Sequence, residues 1–386
     1  MRNRGRSWGV VALVGILLLS GCASFDETPP GQFRANPPLG AGPEPTPVVP
    51  SPAPPPGPSV GGSAPPGPAP TARAGPCVDP DPAVVATCLG ATGGIAVSAD
   101  GTSALVAERG TGRLLRVAPG SSPVLVDTVP VDGSGDGGLL DVVASPTYDE
   151  DQLLYLYLST PTDNRVVRIA VGDSPKPILT GIPHGPTGNS GGIAFDATGD
   201  LLVLTGSAGD PTAAANPASL AGKLLRITAQ GTPAGAVPGS PVLAADLGAG
   251  GGVCTDAKTH TSWVTDRTAA GDRLRAVTGT GLSRTVWAWP DAPGVAGCAA
   301  LGGRVAVALT SGQSLFVLTT SPELAVLAKP EVLAARKYGR LSGADVDRNG
   351  LVWVGTVNKD GGTPTATDDR VVRIQPSSGR GGNAPV

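Results

Sequence analysis

The chain is 386 residues long, 40% hydrophobic but only 3% aromatic, and carries a formal charge of −3 at pH 7. A mildly acidic chain without a basic stripe is a poor partner for nucleic acid. Two histidines, His184 and His260, and no C-x-x-C pair argue against a zinc cluster.

The first elements concern export. Arg2, Arg4 and Arg6 form a basic region, Trp8 to Leu19 a short apolar core, and Leu19-Ser20-Gly21-Cys22 closes it with small residues before a cysteine. This pattern predicts a signal peptide over 1–21, too short to span as a mature helix. The Leu-Ser-Gly-Cys ending resembles a bacterial lipobox, which implies acylation of Cys22 and a palmitate-type anchor at the outer face of the cell membrane. Cleavage would remove three arginines and no acids, leaving a charge of −6. Residues 22–76 are dominated by Pro, Gly and Ala and predict an extended linker rather than a core.

Four cysteines remain: Cys77, Cys88, Cys254 and Cys298. An even count in an exported chain favours two disulfides.

Residues 77–378 repeat one pattern six times, with starts at Gly93, Gly137, Gly191, Gly251, Gly294 and Ser342. Small residues open each unit, and a short apolar strand follows. Next come a turn such as Asp100-Gly101, Thr198-Gly199 or Asn349-Gly350, a second apolar run, and a third strand reading like "RLLRV". Hairpins of this kind, about four strands per repeat, predict an all-β, six-bladed β-propeller. Residues 379–386 are expected to be a disordered tail. Cys254 and Cys298 hold the same position in blades four and five, whereas Cys77 and Cys88 are close in sequence. The favoured pairing is therefore 77–88 with 254–298, the first pinning the N-terminal segment to blade one.

Several chemical motifs dissolve in this context. Gly188-Asn-Ser190-Gly-Gly192 spells G-x-S-x-G, but a nucleophile elbow needs a strand-to-helix turn, and here a strand follows. A trypsin-like site would need a histidine far upstream, and His184 lies six residues before Ser190. Asp345 to Gly350 looks like a calcium loop, yet Thr356 stands where a bidentate Glu belongs. Residues 221–223, "AGK", lack the glycine-rich approach of a phosphate loop.

The segments "ERGTGRLLRV", "GGLLDVVASPTYDEDQLLYLYLS", "DNRVVRI", "GGIAFDATGDLLVLTGS" and "SLAGKLLRITAQGTP" resemble, in order, the glucose/sorbosone dehydrogenase family. That resemblance implies a soluble six-bladed quinoprotein using pyrroloquinoline quinone (PQQ) and calcium to oxidise sugars. The exported, proline-tethered, alanine-rich chain also resembles a mycobacterial lipoprotein of that kind, which implies a place in the mycobacterial cell envelope.

Lining up the family's motifs puts Gly188 where the resemblance implies a general-base histidine, and Gly192 where it implies an arginine. The base must reach the proton it removes, and glycine supplies none. His184 is the nearby substitute. "GAGGGVC" over 248–254 replaces an Arg-Asn-Pro opening, Ser207 an aspartate, and "LTSGQSL" over 309–315 a segment carrying lysine. Of two arginines in the last blade, Arg340 is kept and Ser342 replaces the other. A polyanionic quinone needs several cations.

The expectation is a monomeric, membrane-anchored binding or scaffold protein, with no cofactor or metal assigned, that offers its top loops to an envelope protein, glycan or small molecule. The loops concerned are His184 to Ser190 and Asp210 to Ser219, with Asn189, Ser190 and Arg340 as candidate pocket residues. The alternative is a PQQ-dependent sugar dehydrogenase using His184. A calcium hydrolase on the same scaffold would draw on Asp141 and Asp345.

Overall fold

A computed structural model describes residues 77–377; the signal peptide, Cys22, the linker up to residue 76 and the tail from residue 378 lie outside the described residues. Those residues form six antiparallel sheets, each a blade of the propeller. The innermost strands are Thr92–Val97, Leu139–Ala144, Gly192–Phe195, Val253–Thr255, Val295–Leu301 and Leu341–Val346. Each strand falls at a repeat start, so the sequence periodicity and the blades coincide.

Blade three shows how the pattern becomes structure. Gly192–Phe195 pairs with Leu201–Leu204, which pairs with Leu224–Ile227, which pairs with Val242–Ala244. The first hairpin turns at Thr198-Gly199, where Asp196 Oδ1 accepts the Thr198 N–H and Gly199 has φ +86°. Gly101 and Gly350 hold the same left-handed turn position in blades one and six, where a Cβ is disfavoured. The suspected calcium loop is one of these turns: Asp347 Oδ1 accepts from Asn349 and Leu351.

The second strand of each blade is buried along most of its length because each blade packs on two neighbours, whereas outer strands such as Val124–Thr128 and Lys176–Ile182 are largely exposed. The hydrophobic core accordingly divides into six clusters, one per interface. Between blades four and five, Trp263, Leu274 and Trp289 meet Val305, Val307 and Phe316. Between blades six and one, Trp353 and Val371 meet Val106 and Leu115.

Two details depart from the sequence reading. Blade four has a fifth strand: Trp287–Trp289 pairs with Gly271–Thr278 beside the short Gly281–Leu282. The N-terminal strand Val84–Ala86 joins blade six, not blade one, as its outermost strand against Val371–Ile374. Cys77 is bonded to Cys88 with Cα atoms 5.7 Å apart, so this disulfide brackets the strand that closes the ring. Closure from the first to the last blade removes an open interface that a pairing within blade one would leave. Cys254 is bonded to Cys298, Cα atoms also 5.7 Å apart, and joins the inner strands of blades four and five.

Candidate ligand site in the central channel

The six inner strands enclose a channel of about 560 Å³. They approach so closely that small residues are obligatory. A Cβ on Gly252 would lie 2.7 Å from Gly297 Cα, one on Gly297 2.8 Å from Gly343 Cα, and one on Gly343 2.7 Å from Gly94 Cα. A Cβ on Gly94 would lie 2.9 Å from Asp141 Cα, and one on Gly192 3.4 Å from Gly252 Cα. Gly94, Asp141, Gly192, Gly252, Gly297 and Gly343 are thus one ring, with one residue from each blade. Asp141 is its only member with a side chain.

Asp141 borders the channel between its neighbours. Its Oδ2 accepts the Ile193 N–H at 2.8 Å and its Oδ1 the Val142 N–H at 2.8 Å. Asp345 repeats the device between blades six and one, accepting from Val97 at 2.8 Å and Val346 at 2.7 Å. Burial in the channel wall pushes the Asp141 carboxyl up to about 7, opposed by those N–H donors and reinforced by Asp345. Burial likewise raises Asp345 to about 6.

The mouth is the end at which the inner strands begin, and three arginines line it: Arg109, Arg267 and Arg340. Arg109 follows the second strand of blade one, pairs with Asp360 of blade six, and donates to the carbonyls of Gly135 and Gly137. Arg267 lies in the second strand of blade four. Its Nε donates to Gly250 O at 2.9 Å, and its Nη2 donates to Ser190 Oγ and to Ala249 O. Burial lowers its pKa, with Asp136 the largest opposing charge. Arg340 precedes the inner strand of blade six; its backbone N–H is held by Asn358, while its buried Nε has no hydrogen-bond partner.

Of the four residues singled out from sequence, Ser190 and Arg340 line the channel. Ser190 Oγ donates to Ala249 O at 2.6 Å, linking blades three and four. Asn189 sits behind the wall, fully buried. Its amide donates to Asp136 and Gly185 O and accepts from Gly185 N and Asn164, which uses its capacity within the scaffold. His184 is not among the channel-lining residues; its Nε2 is buried without a partner. Gly188, at φ +74°, has room for no side chain, since a Cβ would lie 2.7 Å from Gly209 N. The Asp210 to Ser219 loop is ordered by a short helix, Pro211–Ala215, capped by the Asp210 side chain.

Sequence reasoning left Arg340 as the one cation of the mouth and missed Arg109, Arg267, Asp136 and Asp360. A signal was present. At the end of the second strand, blades one and four both carry an acidic residue followed by arginine, Glu108-Arg109 and Asp266-Arg267, so the repeat register points both arginines to one end of the ring.

The sequence model of the family described as Glucose / Sorbosone dehydrogenase matches residues 91–243. No curated protein sequence matches the chain. Among solved structures, the PQQ-bound aldose sugar dehydrogenase of Streptomyces coelicolor is 30% identical, with a TM-score of 0.70, over 76% of this chain and 96% of that one. A Thermus thermophilus putative oxidoreductase (glucose dehydrogenase) is 27% identical with a TM-score of 0.67, over 75% and 98%. The apo soluble aldose sugar dehydrogenase of Escherichia coli, 17% identical with a TM-score of 0.62 over 76% and 99%, shares the fold. Six blades in this order, a common framework along the propeller and this degree of identity together place the chain in the glucose/sorbosone dehydrogenase family.

Proposed function

We propose that this protein is an exported lipoprotein, anchored through Cys22 at the outer face of the cell membrane, whose propeller binds a small anionic ligand without oxidising it. The setting is a mycobacterial-type envelope, and the ligand is a free metabolite or the acidic end of a glycan. The observation that carries the reading is the mouth itself: three arginines face one opening, and one of them, Arg340, keeps a buried Nε donor with no protein acceptor. Buried donors find partners, and a ligand carboxylate or phosphate supplies one with charge assistance.

The residues present do not fit quinone-linked sugar oxidation. Removing the hydroxyl proton needs a base in hydrogen-bond reach of the substrate. Gly188 occupies the aligned position and admits no side chain, and His184 lies off the channel lining. A Cβ on Gly250 or Gly251 would collide with the Ser190 or Thr265 carbonyl oxygen, so the opening of blade four has no space for cofactor-binding side chains. Arg267 reaches that space from the neighbouring strand, but carbonyls and Ser190 engage it.

The second reading, a PQQ-dependent aldose dehydrogenase, draws on the same three arginines and on the 30% identity to a PQQ-bound enzyme. Calorimetric titration of PQQ with calcium into the full chain, followed by sugar-dependent dye reduction, separates the two. Binding with turnover that is lost in His184→Ala overturns the non-oxidising reading. Anion binding without turnover supports it.

A further inference from the structure

The channel is charged in two layers. Three arginines against Asp136 and Asp360 leave the mouth net positive, and deeper in the same cavity stand two further carboxylates, Asp141 and Asp345. Ser190, which touches Arg267, lies two to three residues above Gly192 and Ile193, against which Asp141 packs; even at the full rise of an extended strand the layers are at most roughly 10 Å apart. Five of the six blades present glycine at the narrow ring, so Asp141 alone decides what charge a molecule meets there. Neither carboxylate has a lysine or arginine ion-pair partner among the described residues. Their partners are backbone N–H groups, and burial keeps both pKa values high.

An anion alone satisfies the mouth and is repelled by the waist. A cation alone suits the waist and leaves the mouth's guanidiniums without an anion. Only a ligand bearing both signs, about a hexose apart, matches both layers, and each layer disfavours the wrong charge. Resting on the anion-binding reading above, we infer that the channel takes a zwitterionic ligand of the amino-sugar phosphate or amino-sugar acid class, its anion on Arg340, with Arg267 adding positive charge to the mouth, and its ammonium on Asp141, with Asp345 assisting. Asp141 is then the specificity-determining residue, through the one side chain that the glycine ring admits.

The test uses three probes on one hexose frame, carrying both charges, the anion alone or the cation alone: glucosamine 6-phosphate, glucose 6-phosphate and glucosamine. Each is titrated calorimetrically into the full chain at low ionic strength. The expected result is about tenfold tighter binding of glucosamine 6-phosphate than of glucose 6-phosphate, the scale of one partly desolvated charge pair, with glucosamine weakest. Asp141→Asn should collapse that ratio towards one. Asp345→Asn, which leaves the glycine ring untouched, should reduce it in the same direction and serves if the first variant fails to fold. Equal affinities for the two phosphates in the native chain, or a ratio that survives in the variants, overturns the inference while leaving anion binding in place. Binding of neither phosphate overturns both.

Discussion

The Arg267 guanidinium donates to the Ser190 hydroxyl, and that hydroxyl in turn donates a hydrogen bond to the Ala249 carbonyl. A residue that opens blade three, the end of blade four's second strand and the loop opening blade four are joined at the channel mouth. Losing Arg267 therefore touches structure and binding together. Arg267→Gln should cost about 1–3 kcal/mol of stability, because buried carbonyls lose charged donors, and weaken anion binding. Ser190→Ala should cost no more than about 1 kcal/mol while sparing the guanidinium. Urea unfolding of both variants checks this ordering, and equal costs would show that the hydroxyl, not the cation, holds the mouth together.

Glycine at the narrow ring answers a need for space. Gly297→Ala would place a Cβ 2.8 Å from Gly343 Cα and 2.6 Å from Ala344 N, both backbone atoms that cannot step aside. The expected loss is about 3 kcal/mol or more, as for severe overpacking. Gly279→Ala meets nothing within 4 Å and should shift stability by less than about 0.5 kcal/mol. Thermal melts of the pair decide it; similar melting temperatures would mean that the ring can expand.

The two channel carboxylates give stability a pH dependence of stated sign. Asp141 rises from 3.8 to about 7 and Asp345 from 3.8 to about 6, with burial the leading cause. The folded chain thus binds these protons more tightly than the unfolded chain. Their contribution is fully present below about pH 4 and is lost as pH rises through 6 and 7. For Asp141 the change is on the order of 4 kcal/mol at most. Asp141→Asn should flatten the fall in denaturation midpoint between about pH 5 and pH 8. An unchanged slope would place the titration elsewhere.

The disulfides should differ in effect. Cys254–Cys298 spans 44 residues and Cys77–Cys88 spans 11, so loop-closure entropy predicts losses of about 4 and about 3 kcal/mol. Removing the first should loosen blades four and five at the channel. Removing the second should free the closing strand Val84–Ala86. Hydrogen exchange on each Cys→Ser pair reads this directly: protection should fall at 295–301 in one and at 371–374 in the other. Uniform loss across all blades in both would show that the ring opens as a single unit.

What the sequence by itself determined is the architecture. Each repeat carries its own hairpin grammar, with Asp and Gly at turns and alternating Val and Leu between them, and those signals act over a few residues. Strand pairing within a blade is local, apart from the outermost strand of blade six, so six repeats read directly as six blades. The same local logic placed Cys254 and Cys298 at equivalent positions of adjacent units.

Only the tertiary structure decided the site. Arg109, Arg267 and Arg340 are far apart in the chain, and they converge only because the ring closes, with Val84–Ala86 added to blade six. Asn189 looked like a pocket residue because it stands beside Ser190, yet alternation along the chain turns one into the scaffold and the other towards the channel. Asp141 looked like one acidic residue in an apolar strand. Its meaning comes from five glycines in five other blades, whose backbones pack so closely that no other side chain fits the ring.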